Sequence, residues 1–127
     1  MSSYKPQGHS DVSPYLVVNG AAAVIDFMKT VFDAEELYRH PGENGSILHA
    51  EMRIGDTVIM LSDPNAGWEP RPTHVHVYVP DVDATYAKAL SAGAQPLQAP
   101  TRKEDPDKRG GVIDAGGTSW WISTRQA

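Results

Sequence analysis

Two short runs of this sequence carry the side chains best suited to chemistry: His49-Ala50-Glu51 and His74-Val75-His76-Val77-Tyr78. In both, polar residues alternate with apolar ones. On a β-strand successive side chains point to opposite faces, so residues two apart share a face. His49 and Glu51 then stand side by side, with the carboxylate able to orient or polarise the imidazole for acid–base work. His74 and His76 project from one face about 7 Å apart. With Glu51 or His49 brought near, they make a two-imidazole, one-carboxylate set of the kind that holds divalent metals. Each pattern also suits a polar lining of hydrogen-bonded imidazoles, the blander reading and the one favoured here. Aromatic side chains accompany them. Tyr15, Tyr78 and Trp121 offer flat faces for planar or cationic ligands, whereas Trp120 falls by parity on the apolar side and belongs to a core. Trp68 lies in a Pro- and Gly-rich stretch, where a large aromatic either caps a pocket or simply packs. Asp26, Asp81 and Asp83 fall at or near helix starts or surfaces and read as capping or solvated groups.

The elements that position these residues are set out by an internal repeat. Gly116-Gly117-Thr118-Ser119-Trp120-Trp121-Ile122-Ser123 reads as a turn and a strand, as does Gly55-Asp56-Thr57-Val58-Ile59-Met60-Leu61-Ser62. Thr57 maps to Thr118, Met60 to Trp121 and Ser62 to Ser123, each 61 residues on. The same shift lays residues 13–18 over residues 74–79. Past the helices it becomes 60, where Ala34 matches Ala94, a slip that one inserted residue explains. A repeat of this length means two copies of one unit.

Each unit reads strand, helix, then three strands. The first strand covers residues 12–18, with Leu16 and Val18 on one face and Ser13, Tyr15 and Val17 on the other. A helix follows over residues 21–32, with Ile25, Met28 and Phe32 as its buried stripe and Asn19 as N-cap. Residues 35–40 form a strand that closes at Pro41-Gly42-Glu43-Asn44-Gly45. Residues 46–54 form the next, with Leu48, Ala50, Met52 and Ile54 apolar and His49, Glu51 and Arg53 opposite. Residues 57–61 complete unit one, about 12–63, and a linker covers 64–72. Unit two, about 73–125, repeats the order, with Asp81 capping a helix near residues 82–92. The charged run 100–109 reads as a solvated loop, and residues 1–11 as an arm or a loose lead-in. The whole is expected as one domain over residues 1–127. Parity places Ser13, Tyr15, His49, Glu51, Met60, Ser62, His74, His76, Tyr78, Ser119 and Trp121 on the non-core faces.

Composition narrows the function classes. The chain has 127 residues, 40% apolar and 21% charged, ordinary for one globular domain. A net charge of −5 disfavours nucleic acid and anionic membranes as partners. The absence of cysteine excludes disulfides, thiolate metal sites and a cysteine nucleophile. No apolar run is long enough to span a bilayer and the first residues lack an apolar signal core, so a cytoplasmic protein is expected.

The order of motifs resembles the vicinal-oxygen-chelate superfamily of glyoxalase I, bleomycin-resistance proteins and extradiol dioxygenases, and most its PhnB-like branch. The residues that carry the resemblance are Pro14-Tyr15-Leu16-Val17-Val18-Asn19-Gly20-Ala21-Ala22, Val31-Phe32-Asp33-Ala34-Glu35, His49-Ala50-Glu51, Val79-Pro80-Asp81-Val82-Asp83-Ala84, Ala92-Gly93-Ala94 and Trp120-Trp121-Ile122. The resemblance implies an α+β fold in which duplicated βαβββ units form two mixed four-stranded sheets that curl into a cup. It also implies a homodimer whose cups form between units of two chains. The family's metal enzymes take up to four ligands, from the first and last strand of each unit. Here those places fall at Ser13, Met60, His74 and Trp121, of which only His74 suits a divalent ion. The usual Asp-Pro before the last turn is Asp114-Ala115 in this chain.

The expectation is a small-molecule binding protein of the resistance type, holding a partly aromatic ligand with no metal cofactor. Its ligand contacts are Tyr15, His49, Glu51, Met60, Trp68, His74, His76, Tyr78 and Trp121. The alternative is a lyase, isomerase or dioxygenase of the glyoxalase kind, using a divalent metal on His74 or the His49–Glu51 pair as catalyst. A purely structural partner domain is the third option.

Overall fold

The structure, a computed structural model, describes residues 4–126. The first three residues of the expected lead-in lie outside the described residues. Unit one contains β1 (Tyr15–Val17), α1 (Ala21–Phe32), β2 (Glu35–Pro41), β3 (Ile47–Ile54) and β4 (Thr57–Ser62). Unit two contains β5 (Thr73–Tyr78), α2 (Val82–Ser91), β6 (Gln95–Arg102), β7 (Asp107–Ile113) and β8 (Thr118–Arg125). The strands form two mixed four-stranded sheets, ordered β1-β4-β3-β2 and β5-β8-β7-β6. Each first strand pairs in parallel with the last strand of its own unit.

The repeat is exact in register at the site end. Tyr15 lies opposite Met60, and His76, 61 residues after Tyr15, lies opposite Trp121, 61 residues after Met60. The return of the shift from 60 to 61 can be located in the strand pairing. Arg53 pairs with Val58, whereas Ile113 pairs with Ser119, a shift of 60 on one strand and 61 on the other. The extra residue therefore sits in the β7–β8 turn. There Asp114 is buried and accepts hydrogen bonds from Gly116 N, Thr118 N and the Trp120 indole. Gly116 approaches the first unit so closely that a Cβ would stand 2.7 Å from Val24. The altered Asp114-Ala115 turn thus keeps its aspartate as the anchor of the unit contact.

The apolar stripe of α1 enters one shared core with the inner faces of both sheets. Leu16, Val18, Ile25, Met28, Met52, Leu61, Trp120 and Ile122 are almost wholly buried there. Phe32 and Phe27 of α1 meet Trp120 of β8 at ring separations of 4.9 and 6.3 Å, which ties the units together. The other face of each sheet lies away from this core, and the two sheets do not close into a barrel. No helix among the described residues is long and apolar enough to cross a membrane.

Four local expectations are corrected. The helix α1 is capped at Gly20 rather than by Asn19. The carboxylate of Asp63 accepts from Gly20 N and Ala21 N, and its other oxygen from Ile47 N. Leu48 is exposed, because a bulge against β2 puts His40 opposite His49 but Pro41 opposite Ile47, so Ile47 takes the core position. The first strand is shorter than residues 12–18, with Val12 exposed. The charged run 100–109 is mostly strand, with Arg102 ending β6 and Asp107 opening β7.

Candidate functional site

On the first sheet, Tyr15, His49 and Glu51 are joined by hydrogen bonds. Tyr15 Oη meets His49 Nδ1 at 3.0 Å, and His49 Nε2 meets Glu51 Oε2 at 2.9 Å. The chain continues to a residue of the lead-in, since His9 Nε2 lies 2.7 Å from Glu51 Oε1. Burial works to raise the Glu51 carboxyl, but the hydrogen bonds from His49 and His9 outweigh it and hold it below the ordinary range. An ionised Glu51 can only accept, so both Nε2 atoms donate to it, and in the neutral ring His49 Nδ1 accepts the Tyr15 hydroxyl. Such a chain can pass a proton between Tyr15 and Glu51. Two aromatic neighbours border it: Trp68 meets Tyr15 edge-on at 5.4 Å, and Tyr38 lies 6.0 Å from His49. Trp68 is held over the sheet by its indole N–H, donated to Ser62 Oγ at 3.0 Å. That contact explains why Ser62 is fully buried on a polar face.

Of the two readings of the lead-in, the arm is the one its contacts match. Ser10 Oγ accepts from Val58 N, and Gly8 O accepts from the Arg53 guanidinium. Val58 shares the polar face by its pairing with Arg53, yet it is fully buried outside the main core cluster. The arm of residues 4–14 thus closes one end of this face.

On the second sheet, His74, His76, Tyr78, Trp121, Ser123, Arg109 and Asp107 share a face by register. The Trp121 indole N–H donates to His74 Nδ1 at 3.0 Å, and the two rings are within 15° of parallel, 6.2 Å between centroids. The indole lies flat over Gly111, its partner on β7, where a Cβ would come within 2.4 Å of the ring. Indole and imidazole therefore make one continuous flat platform on the sheet. Beside it, His76 Nε2 meets Ser123 Oγ at 2.9 Å, and Arg109 Nε donates to the same oxygen. Tyr78 Oη donates to Asp107 Oδ2, which Arg109 also reaches. Burial first, and then the Arg109 charge, push the His76 pKa below its ordinary value.

The expected site residues thus fall into two groups: Tyr15, His49, Glu51, Met60 and Trp68 on one sheet, and His74, His76, Tyr78 and Trp121 on the other. Among the described residues, no hydrogen bond, ion pair or ring contact joins the groups. A cavity of about 560 Å³ lies elsewhere. It is lined by Val31, Phe32, Ile59, Val75, Val77 and Trp120 and touches only His76 and Tyr78 of the candidates. A second, of about 360 Å³, lies between Tyr15 and the Trp68 loop. The faces hold the organised polar and aromatic groups, so the candidate site is placed on them.

A metal does not fit the positions the fold offers. Met60 supplies a thioether and Trp121 no ligand atom, while the available nitrogen of His74 on the Trp121 side already accepts the indole N–H. His9 and His49 reach different oxygens of Glu51 rather than a common centre. Among the described residues no group of three or more His, Asp or Glu is arranged to hold a metal ion.

Sequence reasoning missed His9, Tyr38, Asp107, Arg109 and Gly111. Asp107 and Arg109 carried a signal, a period of two at the end of the charged run that continues to Gly111. His9 carried none, because only the docking of the arm brings it to Glu51.

Comparisons with known proteins agree with this architecture. The family profile described as the Glyoxalase/Bleomycin resistance protein/Dioxygenase superfamily matches residues 9–122. Over 120 residues the chain is 40% identical to an uncharacterized protein of Mycobacterium bovis, covering 86% of this chain and 79% of that one. Among solved structures it resembles TioX from Micromonospora sp. ML1, at TM-score 0.76 and 24% identity over 91% of this chain and 98% of that one. It also resembles TnmS3, an antibiotic binding protein from Streptomyces sp. CB03234, at TM-score 0.70 and 18% identity over 93% of this chain and 100% of that one.

Proposed function

The chain belongs to the Glyoxalase/Bleomycin resistance protein/Dioxygenase superfamily, and from that premise we propose that it binds a partly aromatic small molecule without metal chemistry. One observation carries this: the open Trp121–His74 platform occupies places where the fold's metal enzymes set ligands. A flat, hydrogen-bonded surface of this kind rewards stacking and loses little entropy on binding. The antibiotic-binding role of TnmS3 is a further support, as a likeness of fold. The protein is read as a cytoplasmic homodimer. In one chain the aromatic faces stay uncovered, with Trp68 43% and Tyr78 63% exposed, and β1 and β5 are sheet edges. A second copy that set its first sheet against the second sheet of this one would close two cups.

The test is a thermal-shift screen over antibiotics and planar metabolites, followed by titration of tryptophan fluorescence. A ligand at 100 times its Kd adds about 2.7 kcal/mol of stability. Trp121→Ala should abolish the shift for any hit and leave the fold intact; an undiminished shift removes Trp121 from the site. The Tyr15–His49–Glu51 chain favours a second reading, in which Tyr15 exchanges a proton with the bound molecule. Recovery of every hit unchanged after prolonged incubation with protein decides against it.

A further inference from the structure

We propose that His74 is the hydrogen-bond donor of the second face, held in its Nε2–H tautomer by the Trp121 indole, and that the ligand carries an acceptor on the rim of its planar ring system. The inference rests on the binding role proposed above and specifies the chemistry of that ligand.

An indole N–H is a donor and nothing else. Trp121 Nε1 points at His74 Nδ1 from 3.0 Å with the two rings nearly parallel, so Nδ1 must present its lone pair. A neutral imidazole carries one N–H, which then sits on Nε2. Nε2 has no hydrogen-bond partner among the described residues, and His74 is exposed. The flat indole is fixed in turn by Gly111 beneath it, where a side chain would lift it off the sheet. The geometry therefore displays a donor at the edge of a stacking platform. A planar molecule lying over Trp121 reaches that edge with a substituent, and the substituent that gains is an acceptor such as a carbonyl oxygen. The same tautomer denies a metal ion the Nε2 lone pair, so the one good ligand at the fold's metal positions is committed to donating.

The tautomer is measured first, on the unmodified protein, from long-range proton–nitrogen NMR correlations of His74 at about pH 8, above the ordinary imidazole range. An Nε2–H pattern is expected; an Nδ1–H pattern overturns the proposal. Binding is then compared for two probes of nearly equal shape, 2-acetylnaphthalene and 2-isopropylnaphthalene, followed at the His74 and Trp121 resonances. The ketone should bind about threefold to tenfold more tightly, the yield of one net hydrogen bond. His74→Phe, which keeps a flat ring without the donor, should erase the difference, and Trp121→Phe, which frees the imidazole, should reduce it. Equal affinities for the unmodified protein refute the donor assignment while leaving the stacking site in place. Absence of any perturbation at Trp121 by either probe is a different result, which removes the binding role itself and this inference with it.

Discussion

Gly111 is the residue on which the second face depends most. Its backbone is the floor under Trp121, and a methyl group there would overlap the indole. Gly111→Ala should tilt the ring, shift tryptophan emission and weaken planar probes at least tenfold. Unchanged emission and binding would show that the platform does not need the glycine. His76 gives this face a pH dependence. Its folded pKa is lowered, so as pH falls through the ordinary value of 6.5 the unfolded chain takes up the proton first. Stability should therefore decline below about pH 6.5 and level off once the folded ring also protonates. His76→Gln should flatten that part of the profile, as read from urea midpoints across the range; an unaltered profile assigns the decline to other groups. At this scale the sequence was informative about faces and poor about partners. Parity put His74, His76 and Trp121 together, but the indole-to-imidazole bond depends on two rotamers, which no spacing reveals.

Two elements are tied down by groups far away in sequence. Asp63 follows β4, yet it caps the start of α1 and also holds β3 at Ile47. Asp63→Ala removes three hydrogen bonds to a carboxylate and should cost about 2 kcal/mol or more by chemical denaturation. A loss near zero would mean that water replaces the cap. The N-terminal arm is the second case. His9 helps keep the Glu51 carboxyl low, and a lowered carboxyl contributes stability that is present at neutral pH and lost as pH falls through its folded pKa. His9→Ala should bring Glu51 back toward its ordinary value, so acid unfolding should begin at a higher pH; an unmoved acid transition would make the arm a passive cover. Helices were the most legible elements, because α1 carries a clean stripe and α2 an aspartate cap. Strand ends were less so. The bulge that turns Leu48 outward arises from pairing with β2, and the start of β7 was hidden because Asp107 and Arg109 look like loop residues until they satisfy each other in a sheet.

At the level of the whole molecule, the duplication was legible because it fixes register, with Tyr15 and His76 at equivalent places opposite Met60 and Trp121. What the repeat could not convey is that one chain leaves both polar faces uncovered. Sedimentation should give about twice the 13.8 kDa chain mass at micromolar concentration, and ligand affinity should fall on dilution below the dimer dissociation constant. A monomer that binds at full affinity would contradict the shared cup. The central claim is where the ligand binds, since the cavity of about 560 Å³ lies away from most of the candidate residues. The most direct measurement is an NMR chemical-shift map of the protein titrated with 2-acetylnaphthalene. The account predicts that the largest changes fall on the Trp121 indole, His74 and Gly111. Changes confined to Val31, Phe32, Ile59 and Trp120, around the 560 Å³ cavity, would contradict it.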